Sequence, residues 1–399
     1  MLTQTFPPYF YFVPMSRALC LAIFVGAGFM MFPNLLTKRT IIASIIYGLI
    51  TFIYFINGNA FFDTINSVVV PFLHMIAALL LLEYTLHYDT DYKFSKLVVY
   101  EVIVLNLLMA LISIPQLIIN PNIIRGASVS SIEDADEQVY YWITEYATMH
   151  GLPLLMAPLV FLCQKIYRIN KKSFLFWLVA TFALYAIVFM SNATTAFLLS
   201  TLLIGIALIF RWEQFTKQNI GILIIVGLFS LVLTTPQVQI AMLDTAQSFM
   251  NEQSSNYFKM EEMKESIIYD DANGDLGARQ TLYETSNELF WESPLTGTET
   301  PDKVSRHTYI MDRLAVFGIF MIIPLVLVFV YNFKRAYNSL KHTKVTYTFG
   351  FIGLLLMLAF KNEFGSGTWL YGFALLPIFC RYIDSIIDNN NVNTTSISD

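Results

Sequence analysis

LGARQTLYETSNELFWESPLTGTETPDKVSRHTYIMDRLAVFG, residues 276–318, is a polar stretch in a chain otherwise dominated by apolar runs. It carries an arginine (Arg279) within helical spacing, a Pro-Leu-Thr-Gly turn (Pro294 to Gly297), and a histidine (His307) where the next apolar run begins, with Gly318 eleven residues later. The flanking runs decide the fold. Each is about 20 residues long, enough to cross about 30 Å of hydrocarbon. With water excluded, such segments must be helices, or strands of a closed barrel. Barrel strands alternate apolar and polar residues over about 10 positions. These runs are continuous, so the reading is an all-α polytopic membrane protein.

Spanning helices are expected at 16–33, 40–57, 65–86, 97–119, 150–168, 172–190, 193–211, 218–235, 308–333, 345–361 and 366–384. That is about eleven, within a range of 10–12 set by two points: the split at Ser191-Asn192, and whether the Pro-rich aromatic segment 1–15 lies in the interface or hides another helix. No removable signal peptide is seen, so the first spanning helix is expected to direct insertion. The whole chain, 1–399, reads as one integral membrane domain. The tail at 385–399 is rich in Asn, Ser and Thr and is expected to be disordered and cytoplasmic.

Lys and Arg set the orientation. One set of alternating short loops holds fourteen: Lys38, Arg39, Lys93, Lys96, Lys165, Arg168, Lys171, Lys172, Arg211, Lys217, Lys334, Arg335, Lys341 and Lys344. The other, with the long loop 236–307 excluded from the count, holds only Arg125 and Lys361. The first set is therefore expected to face the cytoplasm. Two long loops, 120–149 and 236–307, then lie outside, the larger carrying short amphipathic helices. A bundle needs neither, and long loops in compact proteins are usually functional. The net charge of −5, with no basic stripe, implies no nucleic-acid partner. Cys20, Cys163 and Cys380 each lie in an apolar run and read as packing residues.

Asp275 can cap a helix running to about Trp291. On it Arg279, Leu282, Tyr283, Ser286 and Phe290 share one face. That face would rest on the membrane bundle, with Arg279 near the positive end of the helix dipole, a combination suited to phosphate. Pairing with Glu284 or Glu288 is the alternative. His307 has an ordinary pKa suited to taking a proton from a sugar hydroxyl; an interfacial histidine bonded to backbone fits its position equally. Arg306 and Arg313 flank it. Asp312 and Arg313 lie one to two turns into the next helix, where charge marks a pathway or site, unless they pair or snorkel.

Arg279, Pro294-Leu-Thr-Gly297, and His307-Thr-Tyr with Gly318 together resemble the signature of the O-antigen polymerase and O-antigen ligase superfamily. The overall plan, a large outer loop before the last three helices, is similar as well. Thr308 stands where the family has Asn, and the junction Ser191-Asn-Ala-Thr-Thr195 lacks the family's Arg. The resemblance implies a metal-independent, cofactor-free glycosyltransferase at the periplasmic face of a bacterial inner membrane. Its substrate would be an undecaprenyl-diphosphate-linked oligosaccharide, and its partners membrane lipid, a flippase and chain-length regulators. Arg279 would hold the donor pyrophosphate and His307 would activate the acceptor hydroxyl. Arg125, Arg306, Arg313, Lys361 and Glu363 are further candidates for substrate contact.

Three function classes follow: a polysaccharide polymerase, a ligase to lipid A core or protein, and a transporter or flippase for lipid-linked sugars. Charges at mid-membrane, which a transporter would need, are few. The Asp-x-Asp patterns Asp89-Thr-Asp91 and Asp134-Ala-Asp136 are read as solvated charge, and Asp270 to Asp275 lacks the ligand pattern of a calcium loop.

Overall fold

The computed structural model describes residues 16–31, 39–56, 70–119, 124, 146–167, 169–191, 193–209, 236–250, 255–269, 274–298, 303–304, 308–360 and 366–395. Among these there is helix and no strand. In order come α1 (Ser16–Met31), α2 (Arg39–Ile56), α3 (Val70–Tyr88), α4 (Lys93–Ile119), α5 (Tyr146–Gly151), α6 (Pro153–Tyr167), α7 (Lys171–Met190) and α8 (Thr194–Ile209). Then come α9 (Pro236–Ser248), α10 (Ser255–Tyr269), α11 (Gly274–Glu292), α12 (Tyr309–Ser339), α13 (Lys344–Phe360) and α14 (Ser366–Trp369). A π turn, Leu370–Leu375, leads into α15 (Leu376–Thr395). The helix expected at 218–235 lies outside the described residues.

Among the described residues, three helices are long and apolar enough to cross a membrane alone: Lys93–Ile119, Lys171–Met190 and Leu370–Asn390. Shorter apolar helices such as Phe72–Tyr88, Pro153–Tyr167 and Lys344–Ala359 pack beside them. α6 is the centre. Twelve of its residues are buried, and it packs on α7, α8, α13 and α15. The outward faces stay apolar: Leu97, Leu111, Phe182, Leu208 and Val330 are all at least half exposed. A soluble protein rarely leaves so much apolar surface open.

One buried amide inside the bundle is satisfied both within its helix and across to another. Asn106 donates to the Val102 carbonyl at 2.8 Å and to Tyr371 Oη at 3.1 Å. The junction at Ser191 does separate two helices: its N–H closes onto the Ile187 carbonyl and its hydroxyl donates to that of Val188.

The helix expected as one span over 308–333 is broken. Tyr309–Phe320 and Ile322–Ser339 meet at 112°. At the break Gly318 has φ 64° and ψ −179°, a region open in practice to glycine alone. The Pro294–Gly297 turn occupies the notch. Ile319 N–H donates to the Pro294 carbonyl at 2.9 Å, Phe320 N–H to that of Leu295 at 3.3 Å, and Thr298 N–H to that of Ala315 at 2.8 Å. The contact is backbone on backbone. A Cβ on Gly318 would lie 2.5 Å from the Leu295 carbonyl, and one on Gly297 (φ 86°) would lie 2.1 Å from Val316 O.

Carboxylates organise the opposite end of the bundle. Glu83, 3 % exposed, takes both Nε and Nη2 of Arg335. Asp89 is not solvated as expected but 4 % exposed. It accepts Phe94 N–H at 2.9 Å and Ser95 N–H at 2.8 Å, and the Ser95 hydroxyl as well. These are first-turn donors of α4 that would otherwise be orphaned. Asp91 remains exposed beside Lys93. The expected disordered tail is likewise corrected, since α15 runs to Thr395. Asp384 accepts the backbone N–H of Lys341 and of His342. Asp388 accepts from their side chains at 2.7 and 3.0 Å.

Away from the bundle, α9 and α10 pair through Lys264. Its ammonium lies 2.7 Å from Asp244, and the bond to that carboxylate raises the lysine above its ordinary range. Gln247 Nε2 donates to Glu261 at 2.7 Å and is the main reason that carboxyl sits below its usual range.

Gly318→Ala is expected to lower the melting temperature or folded yield of the purified protein in detergent. Its backbone conformation alone would cost a side chain about 1–3 kcal/mol. Gly205→Ala, where a Cβ meets nothing within 4 Å, should leave both unchanged. Asp89→Ala should destabilise by about 1–2 kcal/mol, as loss of a helix cap does, read by the same thermal melt.

Candidate active site

α11 presents the face its spacing predicts. Leu282 and Tyr283 are half-buried, Ser286 and Phe290 buried, and Glu284 and Glu288 exposed. Tyr283 Oη donates to the Ala359 carbonyl near the end of α13 at 3.1 Å. Ser286 Oγ donates to Asp312 Oδ1 at 2.7 Å. Leu289 and Phe290 join the core. Arg279 is on α11, one turn before Tyr283 and two before Ser286; its side chain lies outside what is described.

The start of α12 faces α11. Thr308 is its N-cap, in extended conformation, and makes no side-chain cap bond. Its buried Oγ1 has no hydrogen-bond partner among the described residues. Asp312 supplies the cap instead: Oδ2 accepts Thr308 N–H at 2.9 Å. The carboxylate is 5 % exposed and sits where the dipole of a helix start favours negative charge. One oxygen serves each helix.

Arg313 is the one further candidate whose side chain is described. Its guanidinium lies 5.1 Å from the Tyr309 ring centroid and 5.7 Å from that of Phe317. Stacking of this kind favours a cation over the two ring faces. Tyr309 Oη shares a hydrogen bond with Tyr47 Oη of α2 at 3.1 Å. Because α12 is bent, Arg313 and Asp312 belong to a half-helix set across the direction of the following span, not to the interior of a straight one.

Of the other candidates, His307, Arg306, Arg125, Lys361 and Glu363 lie outside the described residues. Thr308, next to His307, and Phe360, next to Lys361, are within them. Each adjoins a contact of α11: Thr308 through Asp312, and the end of α13 through Tyr283. Tyr47 was not found by sequence reasoning, since nothing in its apolar run sets it apart. Asp312 was read only as a companion of Arg313. Its place four residues past Thr308 was the available signal, because that is within reach of a helix's first N–H groups.

No curated protein matches the chain. Residues 177–307 match the sequence family described as O-Antigen ligase. The matched segment runs through the Ser191 junction, Arg279 and the Pro294–Gly297 turn to His307. Over that segment the chain is similar to that family, which supports the resemblance those residues carry to the O-antigen polymerase and O-antigen ligase superfamily.

Proposed function

We propose that this protein is a polysaccharide polymerase, working at the outer face of a bacterial inner membrane with about eleven spans. It transfers a growing glycan from undecaprenyl diphosphate to the next lipid-linked repeat unit. The oxygen of an acceptor hydroxyl attacks the anomeric carbon of the donor. The bond from that carbon to the diphosphate breaks, and undecaprenyl diphosphate leaves with the electron pair. His307 takes the hydroxyl proton, and Arg279 neutralises the diphosphate. A diphosphate is already a good leaving group, so orientation and charge neutralisation are the main demands. Neither role requires a metal or a nucleotide.

One observation carries this reading. α11 and the first half of α12 lie side by side and run the same way, with Ser286 paired to Asp312 and Pro294 to Ile319. Arg279 lies seven residues before Ser286 on α11, and His307 directly precedes Thr308 in the sequence, so the two candidates flank this pairing in the chain. Arg306, Arg313 and Arg125 would add positive charge for the donor. Lys361 and Glu363 follow the end of α13, which Tyr283 touches. A flippase that delivers repeat units and a chain-length regulator fit as partners.

A ligase is the second reading, and the matched family is compatible with both. A deletion strain separates the two. Loss of a polymerase leaves single repeats on the acceptor; loss of a ligase leaves long chains on the carrier lipid. Arg279→Ala and His307→Ala are each expected to abolish long-chain glycan on a gel while the protein still inserts. In vitro, the expected fall in kcat is about 10²–10⁴-fold for the histidine as general base. It is about 10²–10³-fold for the arginine as a charge stabiliser. Chains of wild-type length from either variant would remove the catalytic assignment.

A further inference from the structure

We infer that Asp312 is a positioning residue for transfer: its carboxylate, shared between Ser286 of α11 and the backbone after His307, sets the separation of the two catalytic groups. The inference rests on the polymerase reading and adds to it a residue that touches no substrate.

Hydrogen bonds among the described residues join α11 and the turn after it to α12 at both ends of the first half of α12. At the Gly318 break the joint is backbone to backbone, and no single side chain is needed to make it. Six residues before Gly318, before α12 has made two turns, the joint is a buried carboxylate with one oxygen on each side. Asp312 thus fastens α11 to the first turn of α12, five residues after His307 in the sequence. The usual N-cap device is unused among the described residues, where Thr308 Oγ1 makes no bond, and it is Asp312 that takes the Thr308 N–H. Without the carboxylate, the chain leading into α12 loses its tie to the helix that carries Arg279, while the joint at Gly318 persists. The fold should then survive, and the two groups should lose their fixed spacing. A shift of about 1 Å between reacting groups can cost about 100-fold in rate.

Geometry rather than charge is the stated role, which separates the variants. In Asp312→Asn, Oδ1 can still accept the Thr308 N–H, and Nδ2 can donate to Ser286 Oγ. Asp312→Ala removes both bonds, and Ser286→Ala removes one.

The test uses the purified full-length chain in detergent. Its donor is the undecaprenyl-diphosphate-linked repeat unit extracted from a strain lacking the polymerase. Two readouts are taken: the transfer rate, and hydrogen exchange of the peptide containing Thr308. Asp312→Ala and Ser286→Ala should both speed exchange. Both should lower kcat, by about 100-fold and about 10-fold respectively, with the donor KM changed less than about 3-fold. Asp312→Asn should recover most of the rate and the protection. If Asp312→Ala does not accumulate, Ser286→Ala carries the same test, because it removes only a hydroxyl. Faster exchange with wild-type kcat would overturn the positioning role. So would an Asp312→Asn variant as slow as Asp312→Ala, which would point to charge. A wild-type chain that transfers nothing from this donor sinks the polymerase reading and the positioning role with it, while exchange still reports whether the clamp exists.

Discussion

The break in α12 is the constraint on which the rest depends. A helix interrupted in an apolar bundle frees backbone donors and acceptors that water cannot reach, and each left unmade is expensive. Here the freed groups near Gly318 are met by the backbone of the Pro294–Gly297 turn. That solution needs two segments at van der Waals contact without side chains between them, which is why both touching positions are glycine. Gly297 and Gly318 are thus one feature, although they stand twenty-one residues apart in sequence.

Fixing the turn into the notch has a consequence for α11, which ends just before it. The C-terminal end of α11 is pinned to the middle of α12, and its length then directs Ser286 to Asp312 and Tyr283 to the end of α13. The half-helix before the break does not continue the line of the span after it. Its first turn, with Asp312 and Arg313, is brought beside the polar helices rather than carried into the bundle. A straight helix over 308–339 would have buried that charged pair in a span, where charge is costly. The bend explains how the sequence tolerates Asp312 and Arg313 at that point.

Much of this was legible in the sequence. Continuous apolar runs located the helices, because a membrane enforces length and internal hydrogen bonding together. The 3.6-residue spacing of Leu282, Tyr283, Ser286 and Phe290 marked the face of α11 that packs. The bend was not legible. A glycine inside an apolar run reads as a tolerated small residue, and only the partner turn reveals the conformation of Gly318. The tail misled for a related reason. Asn, Ser and Thr indicate disorder by composition, but Asp384 and Asp388 fasten α15 to the Lys341-His342 turn through contacts more than forty residues apart. Asp89 misled in the same way: a three-residue pattern does not say that its carboxylate has already been taken up by the first turn of α4.

The two ends of the bundle use buried carboxylates differently. At the Lys- and Arg-rich end, Asp89 and Asp384 each bond backbone N–H groups of one short stretch, and Glu83 takes a guanidinium. Each of these fixes a turn or a pair of helix ends. Asp312 differs, since its two oxygens go to separate elements, each carrying one residue of the proposed chemistry. A carboxylate that only capped α12 would have no need of Ser286, and one that only joined helices would not reach the Thr308 N–H. Serving both with one side chain couples the local geometry at the start of α12 to the placement of α11. The register of α11 against the first half of α12 is therefore held by side-chain chemistry at its near end and by glycine backbone at its far end.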